Sequence, residues 1–452
     1  MSVLQFIQEV LSSPAILIGL ISLIGLVLQK SATEDIIKGT IKAIVGFLII
    51  GAGADIVSGS LNSFGDLFNF AFNVQGVVPN NEAIVSLALV DYATDTAYIM
   101  ALGMIANIVL ARFSRLKYIF LTGHHTLYMA ALIAVVFRTA GVDGPALWFS
   151  GALVLGLTMA LFPAIMQKSM RKVTGNDDLA FGHFGSFGYW FAAQVGRLIG
   201  KKDEDDSFEE INFPKGLSFM RDTTVAISLT MFILYLIVTV AAYLKDPTIL
   251  GGENWFLFAL TKGLTFAGGV YVILSGVRML IAEIVPAFKG ISEKLVPNAK
   301  PALDCPVIFP FAPNSVLAGF LISFAGGVVG LLILYLINQS IPVALILPGV
   351  IPHFFCGASA GVFANAEGGK RGVIVGSFLH GLLITFLPIL LIPVLGGLGF
   401  ANTTFSDTDF IVTGIVFGNL ALWFKSSVAL VVASIVLFLA PIVHNFVARK
   451  PE

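Results

Sequence analysis

The chain has 452 residues, of which 57% are hydrophobic and only 12% charged, whereas a soluble domain carries roughly 25% charged residues. This balance excludes a soluble globular protein. The net charge of −1, with Lys and Arg confined to a few loops, excludes a nucleic-acid-binding protein. The two cysteines, Cys305 and Cys356, have no metal-binding spacing and are interpreted as reduced structural residues.

Apolar runs recur along the whole chain, and each can cross a hydrocarbon core of roughly 30 Å as a helix. We predict an all-α integral membrane protein with about eleven transmembrane helices. The predicted spans are 14–28, 41–60, 97–111, 118–137, 146–166, 223–244, 255–276, 315–337, 343–364, 373–394 and 411–443. The first run lacks a basic leader and a cleavage site, so we interpret it as a retained span rather than a signal peptide.

The distribution of Lys and Arg predicts the orientation of the spans. The tail Met1–Val10 and the loop 396–410 contain neither residue, whereas the loops that alternate with them are basic. Basic loops mark the cytoplasmic side, which places the N-terminus outside and the C-terminus in the cytoplasm. The run Gly200–Lys215 has charges of mixed sign and is predicted to be a solvated cytoplasmic linker.

Three features recur in the two halves of the chain, each pair separated by nearly the same length of sequence. They are Lys38-Gly39 with Lys262-Gly263, Pro79-Asn80 with Pro313-Asn314, and His124 with His353. The pattern indicates a duplication, with coincidence among common dipeptides as the alternative. The predicted units are a first repeat 1–199, a linker 200–221, a second repeat 222–394 and an extra C-terminal helix in 395–452. Five spans in the first repeat would invert the second.

Two apolar segments contain too much Pro and Gly to form simple helices. They are Asn73–Asn81 and Pro306–Asn314. Irregular backbone at membrane depth is tolerated where protein or a cavity satisfies its polar groups. We therefore predict two re-entrant hairpins that line a substrate site, with ordinary surface loops as the alternative.

The strongest candidate for ligand contact is the sequence Thr122-Gly-His-His-Thr126, with Tyr128 one turn beyond His124. Ionisable groups inside a membrane are costly and usually line a pathway, and imidazoles suit a hydroxyl-rich ligand. A helix cap at the lipid headgroups is the alternative.

Three further polar residues lie near the predicted hairpins or in aromatic surroundings. His183 is flanked by Phe181 and Phe184, an arrangement that suits a sugar but is equally compatible with a structural histidine. Glu82 and Asp304 lie beside the two hairpins and could accept hydrogen bonds from a ligand. A helix cap is the alternative for Asp304.

Signatures of catalysis and nucleotide binding are missing from the sequence. It contains no Walker A sequence, no HExxH pair and no dinucleotide fingerprint. We therefore predict no catalytic residues, no cofactor and no metal, which disfavours a membrane-embedded enzyme. The predicted inverted repeat argues for alternating access rather than a channel.

Five segments in this order resemble the ascorbate-specific IIC permeases of the bacterial phosphotransferase system. They are KGTIKAIVGF (38–47), LTGHH (121–125), FGHFG (181–185), LDCPVIFPFAPNS (303–315) and IPHFFCGASAGVFAN (351–365). The resemblance implies a homodimer in the bacterial cytoplasmic membrane. Each protomer would have a scaffold domain and a mobile core domain that moves like an elevator.

The resemblance also implies a ligand, partners and contact residues. The ligand would be L-ascorbate, phosphorylated by separate IIA and IIB proteins, because no phosphoryl carrier is expected in this chain. The implied contacts are Asn81, Glu82, His124, His125, Tyr128, His183, Phe184, Asp304, Phe354, Phe355 and Ser359. The alternatives are a permease for a neutral polyol such as galactitol, since Glu82 would repel an anion, and a proton-coupled secondary transporter.

Overall fold

The structure is a computed structural model that describes residues 14–73, 76–200, 206–211 and 223–447. The tail Met1–Val10, most of the linker 200–221 and Arg449–Lys450 lie outside the described residues. The orientation predicted from the tails and the linker therefore stays a prediction.

Long helices make up most of the described chain. In order they are α1 (Pro14–Leu28), α2 (Thr33–Phe72), α3 (Asn81–Phe113), α4 (Gly123–Thr139), α5 (Gly144–Thr174), α6 (Ser186–Ile199), α7 (Thr223–Lys245), α8 (Trp255–Leu295), α9 (Pro313–Asn338), α10 (Ala358–Arg371), α11 (Ser377–Leu391), α12 (Thr408–Phe424) and α13 (Ser427–Val447). Eight described helical stretches are long and apolar enough to cross a membrane. The all-α membrane class is confirmed, whereas the number of eleven spans stays a prediction.

Several helices differ from the predicted spans because caps, rather than hydropathy, decide where they end. The prediction of one helix over 411–443 is wrong: Lys425 takes a left-handed conformation (φ 48°) that ends α12, and Ser426 accepts the amide of Ala429 (3.3 Å) at the start of α13. The predicted spans 343–364 and 373–394 overlap one helical stretch, His353–Val394. This stretch contains the π-helical turns His353–Gly357 and Gly372–Gly376. It bends at Gly369, whose φ of 58° favours glycine.

Six short strands in the described residues form two parallel sheets. They are β1 (Gly76–Pro79), β2 (Tyr118–Phe120), β3 (Ala180–Phe181), β4 (Lys300–Leu303), β5 (Leu345–Ile346) and β6 (Thr403–Thr404). Strand β1 lies between β5 and β6, with Val77 opposite Ile346. Strand β4 lies between β2 and β3, with Tyr118 opposite Lys300. Each sheet thus takes its central strand from one half of the chain and both outer strands from the other.

The strands occur in the same order in the two halves of the chain. Strands β1, β2 and β3 correspond to β4, β5 and β6, and the members of each pair start almost the same length of chain apart. This common separation agrees with that of the sequence features that indicated a duplication. The segment Asn73–Asn81 contains β1 and the start of α3, whereas Pro306–Asn314 consists of short 3-10 turns and the start of α9. The re-entrant path of both segments stays a prediction.

The helices form two groups. Helices α1, α2, α7 and α8 pack against one another, with close crossings such as that of Gly276, whose added Cβ would lie 2.6 Å from the carbonyl of Gly46. A buried contact between Ser60 and Tyr235 (3.0 Å) joins α2 to α7. The remaining helices surround the two sheets and carry the predicted site residues.

The described part of the linker, residues 206–211, is docked rather than solvated, which corrects the sequence prediction for this piece. Phe208 is buried against Ala318 and Val373. The Glu209 carboxylate accepts the amides of Asn314 (2.9 Å) and Ser315 (2.8 Å) at the start of α9. A carboxylate at a helix N-terminus compensates unpaired amides and the helix dipole, so this segment ties the linker to the second repeat.

Candidate ligand-binding site

Four of the six described strands lead at their C-terminal ends into one group of side chains. Strand β2 is followed by His124 and His125, β3 by His183, β4 by Asp304, and β6 by Asp407. We call these five residues the His–Asp cluster. Strand β1 brings Asn81 to the same place, and short parallel strands therefore collect residues from distant parts of the chain.

Each imidazole of the cluster faces a carboxylate at slightly more than hydrogen-bonding distance. His124 Nε2 lies 3.4 Å from Asp304 Oδ2, and His183 Nε2 lies 3.9 Å from Asp304 Oδ1. His125 Nε2 lies 3.9 Å from Asp407 Oδ2. Such gaps fit a ligand hydroxyl that accepts from a ring N–H and donates to a carboxylate oxygen.

Access to the cluster is uneven. The side chains of His124 and Asp304 are 22% and 34% exposed, whereas those of His125, His183 and Asp407 are 4% exposed. His124 and Asp304 are thus the groups that a ligand meets first. The structure brings together His124, His125, His183 and Asp304, as the sequence predicts.

Sequence reasoning missed Asp407, which joins the segments that follow β1 and β6 at the site. Its Oδ1 accepts the side-chain amide of Asn81 and the hydroxyl of Ser406, both at 2.7 Å. Asn81 Oδ1 in turn accepts the amide of Ser406 (2.9 Å). Asp407 follows His183 by the same length of chain that separates the starts of β1 and β4, so the repeat was a signal that could have pointed to it.

The loop that carries His183 is anchored by the start of α12. The Asp409 carboxylate accepts the amides of Ser186 (2.9 Å) and Phe187 (2.7 Å). The Asp409 amide donates to the carbonyl of Phe184 (2.9 Å). A residue from the second half of the chain therefore satisfies the backbone around a histidine of the first.

Aromatic rings enclose the buried side of the cluster. The Phe184 ring stacks on Phe120 with centroids 4.4 Å apart, and His125 stacks on Phe410 at 5.3 Å. Phe184 is fully buried, so its side chain supports the site, whereas its amide donates to His125 Nδ1 (3.1 Å). Aromatic faces beside fixed polar groups are typical of sugar sites.

Three predicted contact residues carry buried oxygens that have no hydrogen-bond partner within the described part of the chain. The oxygens are Glu82 Oε2 and the hydroxyls of Tyr128 and Ser359. Tyr128 lies beside His124, with ring centroids 5.8 Å apart. A buried oxygen without a partner is costly, and a bound ligand would remove that cost.

Asp304 is the second-half candidate that belongs to the cluster, and the remaining ones are Phe354, Phe355 and Ser359. Phe354 packs edge-on against Phe320 (5.5 Å) and Phe355 (5.1 Å), and Ser359 is fully buried. Their role as ligand contacts stays a prediction.

His353, which the repeat pairs with His124, also lies in a network of its own. Its Nδ1 lies 2.9 Å from the Ser323 hydroxyl, which lies 3.2 Å from His380 Nδ1. The second half therefore has a histidine at the position that matches His124, but this histidine has different partners.

Three groups of side chains have metal-ligand spacing: His124, His125 and Asp304; His125, His183 and Asp407; and His183, Asp304 and Cys305. His125 suits neither of its groups, because its Nδ1 accepts the Phe184 amide and the ring proton of the neutral form then occupies Nε2. A metal needs that nitrogen unprotonated. The predicted absence of a metal stays a prediction.

The opposite end of the sheet that contains β4 is charged. Asp177 contacts Lys300 (2.6 Å) and Arg171 (2.7 Å) and accepts from Gln167 (2.8 Å). The hydrogen bonds from Lys300, Arg171 and Gln167 hold the pKa of Asp177 well below its ordinary value. This ionic group ties the start of β4 to the loop before β3.

A small, partly open apolar cavity lies beside β1. Pro79 and Gly349 line it on the side of the sheets, and Ile227, Met231 and Phe266 line it on the side of α7 and α8. It contains no member of the His–Asp cluster, so it marks the boundary between the two helix groups rather than the ligand site.

Comparison with known proteins identifies the family of this chain. The family described as "PTS system sugar-specific permease component" matches residues 9–409. An "Ascorbate-specific PTS system EIIC component" of Mycoplasma pneumoniae is 29% identical over 441 residues, which cover 86% of this chain. The chain spans 65% of the length of that relative. The predicted resemblance is confirmed, and the chain belongs to the family of sugar-specific permease components of the phosphotransferase system.

Proposed function

We propose that the protein translocates L-ascorbate, or a closely related sugar acid or polyol, and presents it to cytoplasmic IIB and IIA proteins for phosphorylation. The observation that carries the proposal is the position of Asp304 between His124 and His183, at 3.4 and 3.9 Å. One ligand hydroxyl beside each pair would accept from the ring N–H and donate to the carboxylate, so this group of side chains is suited to adjacent hydroxyl groups on one ligand. The likeness to an ascorbate-specific relative supports the choice of ligand.

We propose an elevator-type movement for translocation. The His–Asp cluster belongs to the helices around the two sheets, whereas α1, α2, α7 and α8 form a separate group. The lining of the cavity between them at Ile227, Met231 and Phe266 is apolar, which suits sliding because no hydrogen bonds need to break there. The exchange of strands between the halves supports an inverted repeat with two re-entrant hairpins.

The remaining features of the proposal follow from the family. The protein would act as a homodimer in the bacterial cytoplasmic membrane, with its N-terminus outside and its C-terminus inside. The basic group at Lys300 and Arg171 supports a cytoplasmic position for that end of β4.

A neutral polyol such as galactitol is the second candidate for the ligand, and a specific observation favours it. Glu82, Asp304 and Asp407 place three carboxyl groups around one site, and ionised carboxylates would repel an anionic ligand. Proton-coupled transport without phosphorylation would use the same His and Asp residues.

The ligand and the coupling can be tested together. Inverted vesicles would be loaded with labelled ascorbate or galactitol, and phosphoenolpyruvate with the general, IIA and IIB phosphotransferase proteins would be added outside, where the cytoplasmic face is exposed. We expect phosphorylated ascorbate outside as the product. Release of free ascorbate driven by a pH gradient would indicate proton coupling, and phosphorylated galactitol would indicate the neutral ligand.

Direct binding would test the site itself. His124→Ala should weaken ascorbate binding by about 1–3 kcal/mol, the usual cost of leaving a buried polar partner unpaired. His444→Ala is the matched control, because His444 is exposed in the last turn of α13. An unchanged affinity for His124→Ala with lowered thermal stability would support a capping role instead. Glu82→Gln should strengthen ascorbate binding if the carboxylate faces the anion.

A further inference from the structure

The hydroxyl of Tyr189 contacts Nδ1 of His183, the ring nitrogen that does not face Asp304. It lies 2.8 Å from His183 Nδ1, and the Tyr189 side chain is fully buried in α6. Gly185 provides the space for this hydroxyl, because an added Cβ would lie 2.1 Å from the Tyr189 oxygen. The contact is therefore built into the turn that follows His183.

The direction of this hydrogen bond follows from comparing the acceptors around the Tyr189 hydroxyl. A buried phenol needs an acceptor for its proton. Within the described residues, the Tyr189 hydroxyl has two partners, His183 Nδ1 at 2.8 Å and the thiol of Cys356. Sulfur is a weak acceptor and an imidazole nitrogen a strong one, so Tyr189 donates to Nδ1 and the single proton of neutral His183 occupies Nε2. Nε2 is the nitrogen that faces Asp304, whereas Nδ1 lies 3.8 Å from Asp407 Oδ2, beyond hydrogen-bonding distance.

The same arrangement occurs at His125 by a different route. There the Phe184 amide donates to Nδ1 (3.1 Å), so the proton again occupies Nε2, opposite Asp407. Two imidazoles are thus held with the same nitrogen protonated, each facing a carboxylate. A backbone amide cannot change its role, whereas the Tyr189 hydroxyl can be removed by one substitution.

We infer that Tyr189 is a positioning residue that fixes the tautomer of His183, so that the site presents an Nε2–H donor beside an Asp304 acceptor to one ligand hydroxyl. Tyr189 does not touch the ligand in this arrangement. Its role is to prevent the other tautomer, in which a bare Nε2 would face the bare carboxylate oxygen of Asp304 and could no longer donate to the ligand. The inference about ligand recognition rests on the proposed function, whereas the inference about the tautomer does not.

The tautomer can be measured without any ligand. Protein labelled with ¹⁵N-histidine in detergent would be studied by NMR, with the His183 signals assigned by their loss in His183→Gln. We expect a protonated Nε2 and an unprotonated Nδ1 in the wild type. Tyr189→Phe should convert His183 to a mixture of tautomers. Tyr235→Phe, which removes another buried hydroxyl that is hydrogen-bonded to Ser60, should leave the His183 signals unchanged.

Binding of ascorbate provides the second readout. Tyr189→Phe should weaken it by about tenfold, as expected for a misplaced buried donor, while Tyr235→Phe should not. A protonated Nδ1 in the wild type, or an unchanged His183 in Tyr189→Phe, would overturn the inference even if Tyr189→Phe binds less well. A changed tautomer with unchanged affinity would refute its role in recognition. Failure of the wild type to bind ascorbate would count against the proposed ligand and leave the NMR result to decide on the tautomer.

Discussion

Replacement of Asp409 by Ala should cost more stability than almost any other single polar substitution in the described chain. The Asp409 side chain is fully buried, and its two oxygens accept the amides of Ser186 and Phe187 at 2.9 and 2.7 Å. Asp409→Ala would leave both amides without an acceptor. At about 1–3 kcal/mol for each unsatisfied buried group, the loss should be about 2–6 kcal/mol.

A graded series makes this prediction sharper. Asp409→Asn keeps one carbonyl oxygen and should lose about half as much as Asp409→Ala. Asp91→Ala is the matched control, because Asp91 is exposed on α3 and a surface substitution usually changes stability by less than about 0.5 kcal/mol. The free energy of unfolding would be measured by titration with SDS in mixed micelles, followed by tryptophan fluorescence. A loss below about 1 kcal/mol for Asp409→Ala, less than the usual cost of even one unsatisfied amide, would refute the reasoning and indicate that water replaces the carboxylate.

Three further predictions concern regions outside the cluster. Glu209→Ala should remove two amide contacts at the start of α9, lower the free energy of unfolding by about 1–3 kcal/mol and accelerate protease cleavage of the linker. Gly156→Ala should lower the free energy of unfolding by about 1–3 kcal/mol, because the added Cβ would lie 2.6 Å from the Cβ of Ala106 where α5 crosses α3. The control is Gly59→Ala in α2, whose added Cβ would meet no atom within 4 Å and which should leave the free energy of unfolding unchanged or raise it. The depressed pKa of Asp177 means that its contribution to stability is present above the ordinary carboxyl pKa of about 4 and is lost as the pH falls below it, so wild type should lose stability more steeply than Asp177→Asn in acid.

Each of these predictions has an outcome that contradicts it. Unchanged protease cleavage of Glu209→Ala would indicate that Phe208 alone holds the linker. Equal stabilities of the Gly156→Ala and Gly59→Ala proteins would mean that α3 and α5 separate without cost. Parallel acid-unfolding curves for wild type and Asp177→Asn would mean that the charged pairs at Asp177 are screened by solvent.

The part of the fold that depends on local composition could be predicted from the sequence. Long apolar runs predict helices because every residue of a run contributes to the same hydropathy signal. The breaks at Asn73–Asn81 and Pro306–Asn314 were predictable because Pro and Gly interrupt a helix. The helix ends were less predictable. The break at Lys425 depends on one left-handed residue and a serine cap, and neither interrupts the apolar pattern.

The site residues that could be predicted are those of a type that is rare in apolar segments. Histidines inside apolar segments are uncommon, so His124, His125 and His183 were recognised. Asp407 was not, because it precedes a helix in a polar segment, where a capping aspartate is ordinary. Its role comes from the pairing of β6 with β1, a contact between two strands that are too short to show an alternating pattern.

The exchange of strands between the two sheets has a consequence for biosynthesis. Strand β1 leaves the ribosome more than half a chain length before its neighbours β5 and β6, and β2 and β3 must wait for β4. Throughout that interval the polar edges of the early strands have no native partner, in a chain that is already entering the bilayer. Pairing over such sequence separations is slow, so the first half must be kept from aggregating until translation of the second half is almost finished. A chain that terminates early, for example after α8, would leave every described strand of the first half without its sheet, and we expect quality-control proteases to remove it rather than leave a stable half-transporter in the membrane.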